Sequence, residues 1–328
     1  MPDDDLDLQP PGLVVNALKG DASERRANGW LEWDGALDGL NAALLGEPFD
    51  GASTVRTGSR HGPDAVRRML PLYTTYSSEL HRSMNEVRAA DVGDVRVVVT
   101  DMPGTFARIT AAVAGLVGRG VRVLALGGDH SVSWPLIEGV CRALPGKRIG
   151  VVHFDAHHDL RESHLGALSS GVPFRKALEL PGSPLRGQNL VQIGMVEFGN
   201  SPTHADYARR MGVTVFPMLR VWRDGLMPLV EEALAIAGDG TDAIYVSIDI
   251  DAVDQGQAPG TASPNPFGID ARDLQLALRR LASDPKTIAA DVVEINPPFD
   301  HDDMTARLGA TLALNFFMGL ALRPQTSA

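Results

Sequence analysis

The chain has 328 residues, and 44% of them are hydrophobic, which is enough apolar material for one large α/β domain or two small ones. Thirty Lys and Arg residues against 41 Asp and Glu residues leave a net charge of −11, without any run of Lys or Arg. These values exclude a disordered tail protein and predict neither a nucleic-acid partner nor an anionic membrane partner. The single cysteine, Cys141, cannot form an internal disulfide, so we predict a reducing, cytoplasmic location.

The first twelve residues are acidic and rich in proline, whereas a secretory signal begins with basic residues and continues into an apolar stretch. We therefore predict an N-terminal arm and lead-in over residues 1–35. No run of 18 apolar residues occurs, so the sequence predicts no membrane-spanning helix. No linker or repeat divides the remaining chain, and we predict a single domain over residues 36–323.

Apolar, β-branched segments alternate with segments of helical period, which is typical of βα units around a mainly parallel central sheet. In chain order, the predicted strands are Leu40–Leu45, Val95–Val99, Arg122–Leu126, Arg148–Phe154, Asn189–Ile193, Val213–Phe216, Ala243–Ile248 and Thr287–Val293. The predicted helices are Pro63–Leu70, Gly104–Val117, Ser133–Leu144, His204–Met211, Gly225–Ala237, Asp270–Leu281 and Thr305–Leu322. The stretch Arg161–Gln188 has no clear pattern, so we predict a functional or disordered loop there.

Unusual polar residues follow four of the predicted strands. The four segments are GGDHS at 127–131, HFDAHHD at 153–159, SIDID at 247–251 and VVEINPP at 292–298. Ligands bind at the carboxyl ends of strands in an open parallel sheet, so we expect these segments to converge on one crevice. Asp155, His157 and Asp159 are spaced by two, as are Asp249 and Asp251, so an extended backbone directs each set the same way.

Each segment alone also has an ordinary structural interpretation; Asp129 or Ser131, for example, could cap the helix that follows GGDHS. Four converging carboxylates, however, would repel each other unless cations neutralise them. With two histidines they make six ligands, too many for one catalytic zinc: His130, Asp155, His157, Asp159, Asp249 and Asp251. Oxygen and imidazole donors without thiolate favour manganese, and bridging carboxylates favour two ions that share an activated water. We therefore predict two Mn²⁺ per chain.

These segments resemble the ureohydrolases, the superfamily of arginase and agmatinase. The similarity rests on GGDHS, FDAHHDLR, SIDIDAVDQGQAPG, DVVEINPPFD with the following TARLGA, and on GEPFDGAST, RTGSRHGPDAVR and DVGDV in the first third. It implies a single-domain, arginase-like, three-layer α/β fold with a binuclear manganese cluster, and it suggests a homo-oligomer, either a trimer or a hexamer. By motif position it implies one ion on His130, Asp155, Asp159 and Asp249 and the other on Asp155, His157, Asp249 and Asp251.

The resemblance also implies two catalytic residues. Glu294 stands where the family holds the cationic nitrogen of an amidine or guanidine substrate, which suits a carboxylate opposite the metals. The ordinary alternative is that Glu294 caps the turn at Pro297 and Pro298. Asp159 is expected to serve both as a ligand and as the acceptor that orients the attacking water.

Ser170 lies in a Ser-Ser-Gly-Val-Pro-Phe segment, where many family members carry a histidine assigned to proton shuttling. His153, His158 and His164 are other candidates for that shuttle. The serine, the Asp-Leu-Arg after the DAH motif and the Asp-Gln after SIDID resemble the formimidoylglutamases, which hydrolyse N-formimidoyl-L-glutamate to formamide and L-glutamate in histidine degradation. We therefore predict a hydrolase of linear amidine C–N bonds with a small-molecule amidine as its partner. A guanidinobutyrase-like or agmatinase-like hydrolase that releases urea is the alternative, and a non-catalytic metal-binding family member is a second.

Arg161 lies two residues after Asp159, at the predicted lip of the metal site. Its ordinary interpretation is a surface residue paired with Glu162 or another nearby carboxylate. A site crowded with acidic ligands has little reason to hold a guanidinium unless it faces an anion, and formimidoylglutamate carries two carboxylates that arginine can bind bidentately. We therefore predict that Arg161 binds the substrate together with Ser170 and Glu294.

Overall fold

A computed structural model of the chain describes residues 8–9, 25–163 and 168–324. The strands are β1 (Leu8–Gln9), β2 (Ala42–Glu47), β3 (Tyr76–Ser77), β4 (Arg82–Ser83), β5 (Ala89–Val95), β6 (Arg122–Gly127), β7 (Ile149–Phe154), β8 (Leu185–Met195), β9 (Thr214–Pro217), β10 (Ala243–Asp249) and β11 (Thr287–Val293). The α-helices are α1 (Ala27–Trp30), α2 (Gly62–Met69), α3 (Met102–Gly118), α4 (Ser133–Ala143), α5 (Pro173–Leu178), α6 (Pro202–Met211), α7 (Met218–Asp224), α8 (Leu226–Gly238), α9 (Ala271–Ser283) and α10 (Met304–Ala321).

A nine-stranded sheet forms the centre of the fold, in the order β1-β5-β2-β6-β11-β10-β7-β8-β9. Its strand pairs are parallel except that β1 runs antiparallel to β5. Side chains alternate between the two faces: Leu124 and Val246 pack with α2, α8, α9 and α10, whereas Val123 and Tyr245 pack with α3, α4, α5 and α6. Two helical layers therefore cover the sheet, which confirms the predicted three-layer α/β fold.

The predicted strand at Val95–Val99 is wrong, because β5 ends at Val95 and begins six residues earlier. The segment Ala89–Val95 contains Asp91 and Asp94, which an apolar pattern does not select as a buried strand. In the structure, Arg67 of α2 pairs with both: its Nε lies 2.7 Å from Asp91 Oδ2 and its Nη1 lies 2.5 Å from Asp94 Oδ1. The guanidinium offsets the two charges, so the segment can pair inside the sheet.

The stretch Arg161–Gln188 also differs from the prediction of a long loop, because α5 and the beginning of β8 lie within it. Residues 164–167 of this stretch, including His164, lie outside the described residues. Phe174 of α5 is fully buried and packs against His153, with ring centroids 3.9 Å apart. Tertiary packing on the metal-site histidines therefore organises part of a segment that carries no periodic signal of its own.

Two terminal helices pack together at one side of the sheet. Trp30 of α1 meets Phe317 of α10 edge to face, with ring centroids 5.3 Å apart, so residues 27–30 lie on the core of the fold. The boundary between arm and domain at residue 36 stays a prediction. Within the described residues, α10 is the one helix long and apolar enough to cross a membrane by length and composition, and 67% of it is buried inside the fold.

Candidate metal centre

The four polar segments follow β6, β11, β10 and β7, which are four adjacent strands at the middle of the sheet. Their carboxyl ends meet at one edge, as the sequence led us to expect. Eight of the predicted site residues line a single cleft there: His130, His157, Asp159, Arg161, Ser170, Asp249, Asp251 and Glu294. Asp155 is fully buried and contacts both ligand histidines beneath this cleft.

His130 is the centre of the first ligand group. Its Nδ1 atom lies 3.1 Å from Asp155 Oδ2, 2.9 Å from Asp159 Oδ2 and 3.2 Å from Asp249 Oδ2. Although buried, this nitrogen makes no hydrogen bond of acceptable geometry to the described residues. Ligand atoms that share one octahedral ion at about 2.1 Å lie about 3 Å apart, so the four atoms fit a single divalent cation.

His157 is the centre of the second group. Its Nδ1 atom lies 3.3 Å from Asp155 Oδ1 and 3.0 Å from Asp251 Oδ2. Asp155 therefore offers one carboxylate oxygen to each histidine, which is the arrangement of a bridging ligand. Asp249 contacts His130, and its Oδ1 accepts the backbone N–H of Asp251 at 2.8 Å. That Asp249 also binds the second ion, and so bridges the two, stays a prediction.

The electrostatics of the cluster of ligand residues also favour bound cations. Burial and then the charges of Asp251 and Asp155 raise the pKa of Asp249 well above its ordinary value. Burial alone would lower the pKa of His157, but the charges and hydrogen bonds of Asp251 and Asp155 raise it to about 12. A nearby positive charge therefore stabilises these buried carboxylates. The donor set contains oxygen and imidazole nitrogen but no thiolate, so the residues present fit Mn²⁺.

A buried chain of hydrogen bonds, absent from the sequence predictions, holds Asp155. His153 Nε2 lies 2.8 Å from Asp155 Oδ2, and Gln192 Nε2 lies 3.0 Å from His153 Nδ1. The same amide nitrogen donates to the carbonyl of His158 at 2.7 Å, while the Gln192 oxygen lies 2.7 Å from His158 Nδ1. The amide therefore sets both tautomers: His153 donates through Nε2 to Asp155, and His158 donates through Nδ1. Neither ring lines the cleft.

Glu294 follows β11 and adopts a left-handed backbone conformation with φ of 62°. Its Oε1 accepts the backbone N–H of His130 at 3.0 Å, whereas its buried Oε2 has no partner among the described residues. Burial and then the charges of Asp249 and Asp129 raise its pKa well above the ordinary value. The carboxylate lines the cleft, and the turn at Pro297–Phe299 has no side-chain cap hydrogen bond, so Glu294 does not cap it.

The glycine pair before His130 is required by a close backbone approach. A Cβ on Gly128 would lie 1.8 Å from the carbonyl oxygen of Phe49, which no side chain could tolerate. Asp129 accepts the backbone N–H groups of Ser131 at 3.0 Å and of Ala52 at 2.8 Å, so it caps the turn at His130 and also ties down the loop after β2.

That loop contributes a wall of the cleft which sequence reasoning missed. Ser53, Thr54 and Val55 line it, and Ala262 and Ser263 line another side. The Ser170 backbone N–H donates to the carbonyl of Ala52 at 2.9 Å, so the segment around Ser170 and this loop are joined. Sequence patterns do not predict these contacts, because the residues that they join lie far apart in the chain.

Arg161 lines the cleft and is exposed, and none of the described residues forms an ion pair or a side-chain hydrogen bond with it. Glu162 instead lies 3.6 Å from Arg175, so the expected alternative pairing with Arg161 is wrong. The arginine stem lies over Gly171, where an added Cβ would be 2.6 Å from Arg161 Cδ. The guanidinium is therefore available to an anion entering the cleft.

A three-layer fold with two carboxylate–histidine groups at the carboxyl ends of its central strands defines a class of binuclear metal proteins. The chain belongs to the Arginase family, whose model matches residues 40–319. It is 37% identical over 294 residues to the formimidoylglutamase of Halalkalibacterium halodurans, covering 89% of this chain and 90% of that one. It is 35% identical to the guanidinopropionase of Pseudomonas aeruginosa, covering 88% and 89%. The crystal structure of formimidoylglutamase from Bacillus subtilis superposes with a TM-score of 0.87 and 31% identity over 97% of both chains.

Proposed function

We propose that this chain is a Mn²⁺-dependent hydrolase that converts N-formimidoyl-L-glutamate and water into L-glutamate and formamide. The observation that carries the proposal is that the side chain of Arg161 and the buried Oε2 of Glu294 line the same cleft, and that neither has a partner within residues 25–163 and 168–324. A substrate that suits both must carry a positive C–N group at one end and a negative group at the other. Formimidoylglutamate has this distribution of charge, and the similarity to two formimidoylglutamases supports it.

Two manganese ions would be held by the histidine-centred groups. His130, Asp155, Asp159 and Asp249 surround one position, and Asp155, His157 and Asp251 surround the other. When bound, the ions would supply an activated water and stabilise the negative charge on the oxygen that adds to the amidine carbon.

Glu294 would bind the formimidoyl end of the substrate. An amidine is protonated at neutral pH, and its planar N–C–N group can pair with the free Oε2 of this buried carboxylate. Because Oε1 is already held by the backbone of His130, the carboxylate is fixed before the substrate arrives. The pairing orients the amidine carbon toward the proposed metal ligands. It also replaces the hydrogen bonds to water that the cation loses on entering the cleft.

Arg161 would bind a carboxylate of the glutamate moiety at the mouth of the cleft. Ser170 and Thr54 line the same cleft, and no described residue accepts a hydrogen bond from either hydroxyl, so both can donate to the anion. A cationic tail, such as that of agmatine, would instead meet the positive guanidinium. The charge of Arg161 therefore favours an acidic substrate over agmatine.

The reaction adds water to the formimidoyl carbon and breaks the bond between that carbon and the glutamate nitrogen. Asp159 directs Oδ2 at His130, and its side chain is 11% exposed at the floor of the cleft. We propose that Asp159 accepts the proton that the attacking water loses. The glutamate nitrogen takes up a proton when the C–N bond breaks. The products are formamide and L-glutamate, so atoms and charge balance without another reactant.

The test is a side-by-side release assay on the Mn²⁺-loaded protein with formimidoylglutamate, agmatine, arginine and 4-guanidinobutyrate. Formamide and glutamate from the first substrate support the proposal. Urea from agmatine or guanidinobutyrate supports the alternative, and no turnover of any amidine supports a non-catalytic metal-binding protein. A cytoplasmic location and a homo-oligomer, trimer or hexamer, are further parts of the proposal, and light scattering on the purified protein tests the latter.

A further inference from the structure

A second buried network stands behind His130, on the side away from the ligand group. His130 Nε2 lies 3.0 Å from Ser247 Oγ, and Ser247 Oγ donates to Asp291 Oδ1 at 2.7 Å. Asp291 Oδ2 accepts from Ser133 Oγ at 2.6 Å and from the Tyr245 hydroxyl. All five side chains are almost completely excluded from solvent.

The donors around Asp291 set the direction of every hydrogen bond in this network. Three hydroxyls and the backbone N–H of Ile248, at 3.3 Å, point at its two oxygens, so the carboxylate accepts throughout. Ser247 has one proton and gives it to Asp291, so its oxygen must accept from His130. The neutral ring of His130 therefore carries its proton on Nε2 and leaves Nδ1 free as a lone pair toward Asp155, Asp159 and Asp249.

The other ligand histidine has no equivalent support. His157 is one-quarter exposed, and its Nε2 has no hydrogen-bond partner among the described residues. Its Nδ1 faces Asp155 and Asp251, as a ligand nitrogen should. The two proposed ion positions therefore differ in one respect: in the part of the chain that the structure describes, a buried, fully directed chain of hydrogen bonds holds the ring of His130 from behind but not that of His157.

We propose that Ser247 and Asp291 are positioning residues which fix the tautomer and ring orientation of His130, and thereby set the metal affinity of the ion position on His130 alone. A partner behind a ligand histidine typically changes metal affinity by about 10- to 100-fold. The inference rests on the manganese centre of the proposed function, but it concerns how one ion is held and not which substrate is hydrolysed.

The test is an equilibrium titration of metal-free protein with Mn²⁺, in which the electron paramagnetic resonance signal of free Mn²⁺ counts the bound ions. We expect Ser247→Ala to weaken one of two binding steps by about 10- to 100-fold and to leave the other step unchanged. Ser247→Thr, which keeps the hydroxyl, should restore the weakened step. Ser133→Ala is the matched control, because it removes a hydrogen bond to Asp291 Oδ2 without interrupting the path from His130 through Ser247.

Equal affinities for the wild type and Ser247→Ala would overturn the positioning role while leaving the binuclear centre intact. Equal weakening of both steps, or equal weakening by Ser133→Ala, would overturn it too, because either result indicates a general loss of packing. Thermal melting of the metal-free variants identifies one that does not fold. In that case Ser247→Cys, whose thiol keeps the volume but accepts a hydrogen bond weakly, undergoes the same titration, with the same expected loss at one step.

Discussion

Glu294 and His130 follow different strands, yet Glu294 Oε1 accepts the backbone N–H of His130 at 3.0 Å. This bond joins the carboxylate proposed to bind substrate to the backbone of a proposed metal ligand. The other oxygen of Glu294 is buried without a partner among the described residues, a costly arrangement unless a ligand completes it. The hydrogen bond to His130 therefore fixes Glu294 with its free Oε2 next to the proposed metal ligands, where a cationic C–N group can bind.

Glu294→Gln tests that position. The amide has the same shape, and its oxygen can still accept from His130, but it cannot neutralise a protonated amidine. We expect kcat/KM to fall by about 100-fold or more, with the bound Mn²⁺ unchanged. Steady-state kinetics together with elemental analysis measure both quantities. Wild-type kcat/KM in this variant would remove Glu294 from the substrate site.

The bridging geometry of Asp155 leads to a prediction about metal content. Asp155 offers one oxygen to each histidine, whereas Asp251 contacts only His157 of the two. Asp155→Ala should therefore lose more metal than Asp251→Ala, because a bridging carboxylate serves both ions. Elemental analysis of the purified variants after equal dialysis decides this. Equal metal loss in both variants would contradict the bridge.

Glu47 is fully buried at the end of β2, and neither of its carboxylate oxygens has a hydrogen-bond partner among the described residues. Burial and then the charge of Asp291 raise its pKa well above the ordinary value of 4.5. A pKa raised by folding contributes stability that is fully present below the unfolded pKa and is lost as pH rises through the folded pKa.

Glu47→Gln should remove this pH dependence, since the amide resembles the protonated acid and does not ionise. We expect the melting temperature of the wild type to fall, relative to that of the variant, as pH rises from about 4.5 toward neutrality and above. Melting curves of the metal-free proteins across this range measure the difference. Parallel curves would indicate that Glu47 has the same pKa in the folded and unfolded states.

Arg67 is 3% exposed and neutralises Asp91 and Asp94 beneath the sheet edge. Arg67→Met removes the guanidinium that pairs with the buried Asp94 and the partly buried Asp91, so we expect the free energy of unfolding to fall by about 3–5 kcal/mol. Urea denaturation measures this loss. The matched control is Arg209→Met, because Arg209 pairs with Asp206 on the exposed surface and should contribute little.

The sequence predicts the site better than it predicts what supports the site. The location of Asp155, His157 and Asp159 follows from the rule that parallel strands end at one edge. Their common direction does not come from the predicted extended backbone, because β7 ends at Phe154 and Asp159 has a left-handed φ of 49°. A polar cluster directly after a buried strand is a local signal and can be read without knowing the fold. The resemblance to a known family then implied that the carboxylate of Glu294 binds the substrate.

Contacts between distant residues carry no such local signal. Gln192 bonds His158 across 34 residues, and Ser133 bonds Asp291 across 158, so neither pair forms a recognisable spacing. The strand Ala89–Val95 was missed for the same reason, because its acidic residues are acceptable only once Arg67 of a separate helix lies beside them. Buried polar residues are explained by partners that only the folded chain brings together.

The proposed preference for an acidic substrate depends on the positive charge of Arg161, so Arg161→Met removes its basis. The measurement is kcat/KM of the Mn²⁺-loaded wild type and variant for formimidoylglutamate and for agmatine, with metal content determined in parallel. We expect the wild type to prefer formimidoylglutamate and the variant to lose about 10- to 1000-fold on that substrate at unchanged metal content. A wild type that prefers agmatine, or a variant that hydrolyses formimidoylglutamate as well as the wild type does, would contradict the assignment.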